Sequence, residues 1–364
     1  MNRPLPNLIV GAALTALAAL ISVAAVAQVA PGPADPNPVN LLDNGNFNVA
    51  QRGTTAVTGI TTSPTYLWDR WAGVSGTATA ETLTNVTSGV PAPFTNAAQV
   101  TRTSGQTGVL PVTLVQEIAS ANIIPLAGQP VTLSFWAKAA TNLSSTGSTI
   151  LAEVVTGTGT DEGLTKYVSG FAGAASPVNL SQALTTSWQR FAVTGVLSAT
   201  AKEAVVQIGF TPTGTAGTTD GFQVTGIQLQ RGTTASSFEW RPASVELARL
   251  QAYYWQWLEP STSTSIVPGS CSNSMTTVAF CNVPLHVQMR TTPTVTATYG
   301  TLKIQDGASE VALTALASPS TITTNADSVI LQATVASGLT VGDAGLLLGG
   351  NSTGGGKITA SADF

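Results

Sequence analysis

Short runs in which apolar and polar residues alternate fill most of the chain after residue 40. The clearest of these runs are Val131–Lys138, Arg190–Thr194, Val205–Phe210 and Gly226–Gln230. Alternation with a period of two is typical of strands that bury one face and expose the other. Because turns rich in Gly, Ser and Thr separate many such runs, the pattern predicts an all-β protein built around a jelly-roll β-sandwich.

The segment 242–258 departs from this pattern, since it contains no glycine and repeats its apolar residues with a helical period. The residues that fall near one helical face are Leu247, Leu250, Tyr254 and Trp257. Alternation then resumes in five candidate strands, Thr276–Phe280, Leu285–Met289, Thr294–Tyr299, Ser328–Val335 and Lys357–Ala362. The sequence therefore predicts a jelly-roll domain over 40–241, one connecting helix over 242–258 and a second, smaller β-sandwich domain over 259–364.

The N-terminal residues have the organisation of a secretory leader. Arg3 precedes an apolar run that starts at Leu8, and the run ends in the small-residue sequence Ala25-Val26-Ala27. This predicts a cleaved signal peptide over 1–27 and a Pro-rich linker over 28–39, and hence a secreted or cell-surface protein. The alternative is a retained membrane anchor, because the apolar run is almost long enough to span a bilayer.

The predicted export affects the expected oxidation state of the two cysteines. Cys271 and Cys281 lie ten residues apart around a polar stretch. In an oxidising compartment such a pair is expected to form a disulfide, with two free thiols as the alternative. A zinc site is disfavoured, because His286 is the single histidine and no CxxC motif occurs.

Composition excludes two classes of protein. Charged residues make up 9% of the chain and hydrophobic residues 43%, which is the opposite of a disordered sequence. The net charge is −4, and no cluster of Lys and Arg occurs. Nucleic-acid binding requires a basic stripe that follows the phosphates, so we do not expect a nucleic-acid partner.

In the first domain, odd- and even-numbered residues of a predicted strand point to opposite faces of the sheet. Sorting them separates a face toward the core from the opposite, outer face. In Val131–Lys138 the odd-numbered residues are apolar, so Trp136 and Lys138 are expected on the opposite face. The same sorting adds Trp188, Arg190, Gln207, Gln228 and Gln230. Aromatic rings pack on the apolar faces of sugars, and amides and cations hydrogen-bond with hydroxyls, so these residues form the predicted ligand site. The alternative is that a second layer or the neighbouring domain covers them.

Several short motifs resemble, in their order, a domain of phage and prophage tail-fibre proteins. They are Asn40–Phe47, Ala50–Gly53, Trp68–Trp71, Leu133–Lys138, Trp188–Phe191, Phe222–Gly232 and Phe238–Pro242, followed by Glu246–Tyr254, Pro284–Thr294 and Ile358–Asp363. The resemblance implies a carbohydrate-binding jelly roll of the galactose-binding-like type, a helix and a C-terminal fibre-type β domain. It also implies a homotrimer in a virion tail, although tail fibres usually lack the leader that this sequence carries.

Jelly rolls of this type commonly hold a structural calcium ion. The oxygen donors that the resemblance places near the ends of the domain are Asn44, Asn46 and Asp220. Turn chemistry explains the two asparagines equally well.

Signals for catalysis are poor. The segment 350–354 matches G-x-S-x-G by letter but lies in a Gly-rich stretch, where a turn is expected instead of a nucleophile elbow. The adjacent acids Asp161 and Glu162 have no identifiable partner for glycoside hydrolysis. The sequence thus predicts a non-catalytic, exported, fibre-like protein that binds a cell-surface or extracellular glycan. The alternatives are a purely structural exported or virion component and a degenerate hydrolase appendage.

Overall fold

The computed structural model of the protein describes residues 39–76, 79–259, 265–266, 269–318, 324–349 and 355–364. The predicted signal peptide and all but the last residue of the predicted linker lie outside these residues. The chain forms two compact units, of which the first ends at Arg241 and the second runs from Pro242 to Asp363. Strands dominate both units, which confirms the all-β class.

The described part of the first unit contains strands β1 to β12. In chain order they are Val57–Ile60, Thr65–Trp68, Trp71–Ser75, Glu81–Val86, Ala97–Arg102, Val112–Ile118, Pro130–Ala139, Thr149–Gly157, Ala175–Ala183, Gln189–Val196, Glu203–Phe210 and Asp220–Arg231. Two short helices, α1 (Ser120–Ile123) and α2 (Leu164–Ser169), and two 3₁₀ turns, Ile124–Leu126 and Thr146–Ser148, connect them.

These strands form a sandwich of two antiparallel sheets. Sheet A has the order β1-β4-β5-β12-β7-β10, and sheet B has the order β2-β3-β6-β11-β8-β9. From β4 onward the chain crosses repeatedly between the sheets, which is the connectivity of the predicted jelly roll. The core lies between the sheets, where Leu133, Phe135 and Phe222 of sheet A meet Leu114 and Ile208 of sheet B, all fully or almost fully buried.

A bulge in β12 determines which of its side chains leave the core. The even-numbered Phe222 and Val224 point into the core, and so do the odd-numbered Ile227 and Leu229. The alternation of inward and outward side chains therefore shifts by one residue between Val224 and Ile227. The register against β7 shifts at the same place, around Gly226, as expected when a bulge inserts one extra residue. Consequently Gln223 lies on the outer face of sheet A together with Gln228 and Gln230.

The motifs that carry the tail-fibre resemblance meet in a buried polar network. Asp43 lies 3.7 Å from Arg70 and 3.6 Å from Arg241, measured between side-chain oxygen and nitrogen atoms. Asp69 pairs with Arg52 at 3.2 Å. These motifs therefore join the first and last segments of the unit to its centre. Their charged side chains form ion pairs with one another.

The second unit contains helix α3 (Ala243–Gln251) and strands β13 to β22 within its described residues. The strands are Tyr254–Leu258, Ser265–Ile266, Ser270–Met275, Val278–Pro284, Thr294–Thr298, Lys303–Asp306, Ser309–Ala317, Ser328–Val335, Ala344–Gly349 and Lys357–Ser361. They form a three-stranded sheet, β13-β22-β17, and a larger sheet, β14-β21-β15-β16-β20-β19-β18. Because β18 also pairs with β21, the larger sheet closes on itself.

The predicted helix over 242–258 is wrong in its second half, since α3 ends at Gln251 and the aromatic residues after it form β13. Tyr254 to Leu258 pair with β22, and Trp255 is buried. Aromatic residues favour strands, and Tyr254-Trp255-Gln256-Trp257 fits either period over so short a run. The predicted strand Leu285–Met289 is likewise not a strand.

The expected disulfide is present. Cys271 of β15 and Cys281 of β16 lie directly opposite each other in the ladder, and both are buried in the core of the second unit. No helix in the described ranges combines the length and apolar character needed to cross a membrane.

Candidate functional site

The outer face of sheet A carries two tryptophans and two cations. Trp136 and Lys138 lie on β7, and each alternates with fully buried core residues. Arg190 of β10 is directly opposite Trp136 in the ladder. Trp188 immediately precedes β10, and the Nζ atom of Lys138 lies 5.3 Å from the centre of its ring. All four side chains are half-buried, and the structure brings them together on one face.

A row of polar side chains continues from Lys138 across the sheet. Gln223 of β12 is opposite Lys138, Gln99 of β5 is opposite Gln223, and Thr84 of β4 is opposite Gln99. We call Thr84, Gln99, Gln223, Lys138 and Trp188 the polar row. It crosses five neighbouring strands, so it extends over about 19 Å. The Nε2 atom of Gln223 donates to Oε1 of Gln99 at 2.8 Å.

The sequence analysis did not single out Gln99 and Gln223. The alternation of apolar and polar residues could have predicted both on the outer face. Gln223 lies between the apolar Phe222 and Val224, and Gln99 lies between Ala98 and Val100. The Oε1 atom of Gln223 is buried and accepts no hydrogen bond from the described residues.

Two predicted site residues, Gln228 and Gln230, lie on the same face but are buried. Residues 232–240, which we call the cover segment, fold over them. Ser236 donates from its hydroxyl to Oε1 of Gln230 at 2.7 Å, and Nε2 of Gln228 donates to the Ser236 hydroxyl at 2.9 Å. The backbone N–H of Glu239 donates to Oε1 of Gln228. These glutamines hold the cover segment in place, and their side chains are buried beneath it.

Gln207 is also removed from the site, because β11 belongs to sheet B. Its side chain is bonded to the hydroxyl of Tyr167 on α2 and to the carboxylate of Glu153 on β8. Burial raises the pKa of Glu153, and the hydrogen bonds from Gln207 and Asn179 oppose that rise. Gln207 therefore belongs to the packing between α2 and sheet B, on the opposite side of the sandwich.

A loop after β4 forms one wall beside the polar row. Trp188 donates from Nε1 to the carbonyl of Gly89 at 2.7 Å, and Thr225 donates to the carbonyl of Asn96. Phe94 rests on Gly226, where a Cβ atom would lie 2.5 Å from the ring and where φ is +63°. Only glycine suits this position, because it combines a left-handed backbone with direct ring contact.

The other side of the polar row carries short side chains. Thr82 of β4 and Gly221 of β12 both lie opposite Thr101 of β5. We call the strip of the outer face that consists of the polar row, Trp136 and Arg190, beside the loop wall, the trough; it runs across the strands.

Two of the predicted calcium ligands, Asp220 and Asn44, bond other groups of the protein. Asp220 is fully buried, and its carboxylate accepts from Nε and Nη2 of Arg102 at 2.9 and 2.7 Å and from the backbone N–H of Ser144. Asn44 closes a turn by bonding both backbone groups of Val49. Among the described residues no group of three or more His, Cys, Asp or Glu side chains is arranged to hold a metal ion.

The acids noted in the sequence, Asp161 and Glu162, immediately precede α2 and lie near two buried glutamates. Asp161 accepts a hydrogen bond from the backbone N–H of Ser120, and Glu203 accepts one from that of Glu162. Burial raises the pKa of Glu117 to about 8, against the opposing charge of Arg70. Burial also raises the pKa of Glu203. His286 is exposed in a bend, and the G-x-S-x-G segment 350–354 lies outside the described residues.

No protein-family model matches the sequence, and the comparison with curated proteins found no match. Several solved structures are similar to parts of the chain. One is the enzymatically active domain of bacteriophage CBA120 tailspike protein 4, at 16% identity and a TM-score of 0.32. That similarity covers 53% of this chain and 21% of the tailspike domain, so it spans about a fifth of the length of that solved chain.

Two structures of carbohydrate-binding modules are similar as well. A CBM4 structure is 19% identical over 52% of this chain and 99% of its own, with a TM-score of 0.30. The tandem CBM22-1–CBM22-2 domains of Paenibacillus barcinonensis Xyn10C are 11% identical over 93% of both chains, with a TM-score of 0.32.

Proposed function

We propose that the first unit is a non-catalytic carbohydrate-binding domain that holds a glycan in the trough on the outer face of sheet A. The observation that carries the proposal is the pairing of two half-exposed tryptophans with a continuous row of amide, hydroxyl and ammonium groups. The tryptophan rings offer flat apolar faces to sugar rings, and the polar row offers donors and acceptors to hydroxyl groups. A row of about 19 Å is longer than one pyranose ring, so the ligand is an oligosaccharide or polysaccharide chain.

We expect Trp136→Ala to weaken glycan binding about tenfold or more while the protein stays folded, because truncating a central aromatic contact removes most of the packing against a sugar ring. Affinity electrophoresis of the full-length protein in gels containing a panel of plant, bacterial and animal polysaccharides measures the effect. Tyr299→Ala, which truncates an exposed aromatic side chain of the second unit, is the control and is expected to leave binding unchanged.

If Trp136→Ala bound glycans as tightly as the wild type, the binding site would not be the trough. If the wild-type protein bound no polysaccharide of the panel, the purely structural alternative would replace the proposal. Circular dichroism and thermal unfolding of each variant separate loss of binding from loss of fold.

We also propose that the protein is exported and acts at a cell surface or in a fibre. The small-residue sequence at Ala25-Val26-Ala27 and the Cys271–Cys281 disulfide, which suits an oxidising compartment, support this. Mass spectrometry of the mature protein is expected to find an N-terminus at Gln28, and recovery of residues 1–27 in it would contradict cleavage. Light scattering of the same sample tests the trimer that the tail-fibre resemblance implies.

A further inference from the structure

The trough contains two cations, each placed beside a tryptophan. Lys138 lies against the ring of Trp188, and Arg190 is the ladder partner of Trp136. Lys138 and Arg190 are diagonal neighbours on β7 and β10, and the Cα atoms of such pairs are about 7–8 Å apart. The two cations are therefore neighbours on the outer face of sheet A, with Lys138 against Trp188 and the guanidinium of Arg190 extending toward Ser134 and Ser236.

Neither cation is neutralised by the protein. Within the described ranges, Lys138 and Arg190 form no ion pair. Arg190 instead donates to the backbone carbonyl of Ser236 and, at 3.5 Å, to the hydroxyl of Ser134. The remaining members of the polar row are uncharged, so the trough is positive in a chain whose net charge is −4.

The carboxylates on the strands of sheet A are directed away from the trough. Glu81 points into the core, where it is fully buried, and Asp220 is paired with Arg102. Beyond β12, Glu239 of the cover segment bonds the backbone N–H of Asn40 and the guanidinium of Arg241. The positive charge of the trough is therefore uncompensated on its own face.

Arg190 is half-buried without an anionic partner, which is an unfavourable arrangement for a guanidinium. Removing part of its hydration costs free energy, and this burial lowers the pKa of Arg190. A carboxylate or sulfate in the trough would offset that cost, because a guanidinium binds such groups through two parallel hydrogen bonds. An uncharged sugar would leave the cost in place.

On the basis of the proposed function, we infer that the ligand is an anionic glycan whose carboxylate or sulfate groups bind Lys138 and Arg190 while its sugar rings pack on Trp136 and Trp188. Neutral glycans of the same backbone would keep the ring packing and lose the ionic contacts. The inference therefore concerns the class of glycan that the trough selects, and it is separable from glycan binding itself.

Matched pairs of polymers test it with the full-length protein. Polygalacturonate is compared with the same polymer after methyl esterification, and dextran sulfate with dextran, which separates the carboxylate source from the sulfate source. In low salt we expect the anionic member of at least one pair to bind about tenfold more tightly than the neutral member. The difference is expected to shrink several-fold in 0.5 M NaCl, where screening is short-ranged (about 4 Å).

Three variants place the effect in the trough. Lys138→Gln is expected to weaken binding of the anionic polymer about fivefold more than it weakens binding of the neutral partner, because both polymers lose a hydrogen-bond donor but only the anionic one loses an ionic contact. Arg190→Lys keeps the charge but loses the paired hydrogen bonds, so it is expected to weaken carboxylate binding as well. Lys166→Gln removes the same charge from the exposed surface of α2, over sheet B, and is the control.

The outcomes separate the two proposals. Equal affinity for charged and neutral partners, unchanged in Lys138→Gln, would overturn the anionic ligand and leave glycan binding standing. Equal weakening in Lys166→Gln and Lys138→Gln would show general attraction of polyanions, and would also overturn it. Failure of all polymers of both classes to bind would contradict the proposed function itself.

Discussion

Arg102→Met is expected to lower the free energy of unfolding of the first unit by about 3–5 kcal/mol. Arg102 and Asp220 are both fully buried and joined through two N–H groups. The third nitrogen of Arg102 donates to the backbone carbonyls of Gly108 and Gly214 at 2.7 and 2.9 Å. Removing the guanidinium leaves a buried carboxylate without its cation, and this uncompensated charge is the larger part of the expected loss. Urea unfolding followed by tryptophan fluorescence measures it.

Two further variants make this expectation specific. Arg102→Met combined with Asp220→Asn removes both charges and is expected to recover about 1–2 kcal/mol of the loss. Lys303→Met breaks the exposed pair with Glu310, whose N–O distance is 3.0 Å, and is expected to cost less than about 1 kcal/mol. If Arg102→Met cost no more than Lys303→Met, the buried pair would not stabilise the fold as we describe.

Glu117→Gln is expected to stabilise the first unit at pH 8 by about 4 kcal/mol and to have little effect at pH 4. Burial raises the pKa of Glu117 from 4.5 to about 8, so between these values the unfolded chain is ionised while the folded protein keeps the proton. The wild-type protein therefore loses stability as pH rises from 4.5 to 8, and the loss levels off above pH 8. Glutamine cannot ionise, so the variant lacks this dependence.

Urea unfolding of the wild type and the variant at pH 4, 5, 6, 7 and 8 measures the difference. Glu310→Gln removes an exposed carboxylate and is the control, whose stability is expected to follow the wild type throughout. The first-unit transition is identified as the one that Arg102→Met also shifts. Parallel curves for the wild type and Glu117→Gln would show that the carboxyl of Glu117 titrates normally in the folded protein.

Parity along single strands was the most reliable information in the sequence. Alternation predicted β7, β10, β11 and β20 to within a few residues of their observed bounds, and it placed Trp136 and Lys138 opposite the core. It succeeded because the orientation of a strand side chain depends on the residue's own position in the pleat. The helix over 242–258 failed at Tyr254, where the deciding contacts are with β22, about a hundred residues later in the chain.

Alternation along a strand did not predict which of the two sheets the strand joins. It also did not predict which side chains are covered by segments later in the chain. Gln207 and Gln228 were predicted from the same alternation pattern. In the structure, Gln207 lies under α2 on sheet B, and Gln228 lies under the cover segment on sheet A. Parity also did not indicate that Asp220, a predicted calcium ligand, is paired with a cation of the protein. Asp220 meets Arg102 only because β12 pairs with β5, across 118 positions of sequence.

The all-β class, the outward orientation of Trp136 and the Cys271–Cys281 disulfide were thus determined by the sequence alone, because each depends on local alternation or on short spacing. The trough was decided by the tertiary structure. Gln99, Gln223 and Lys138 become one row through the pairing of β5, β12 and β7, and the cover segment sets where the accessible face ends. Strand pairing joins residues far apart in the chain, so no local pattern contains it.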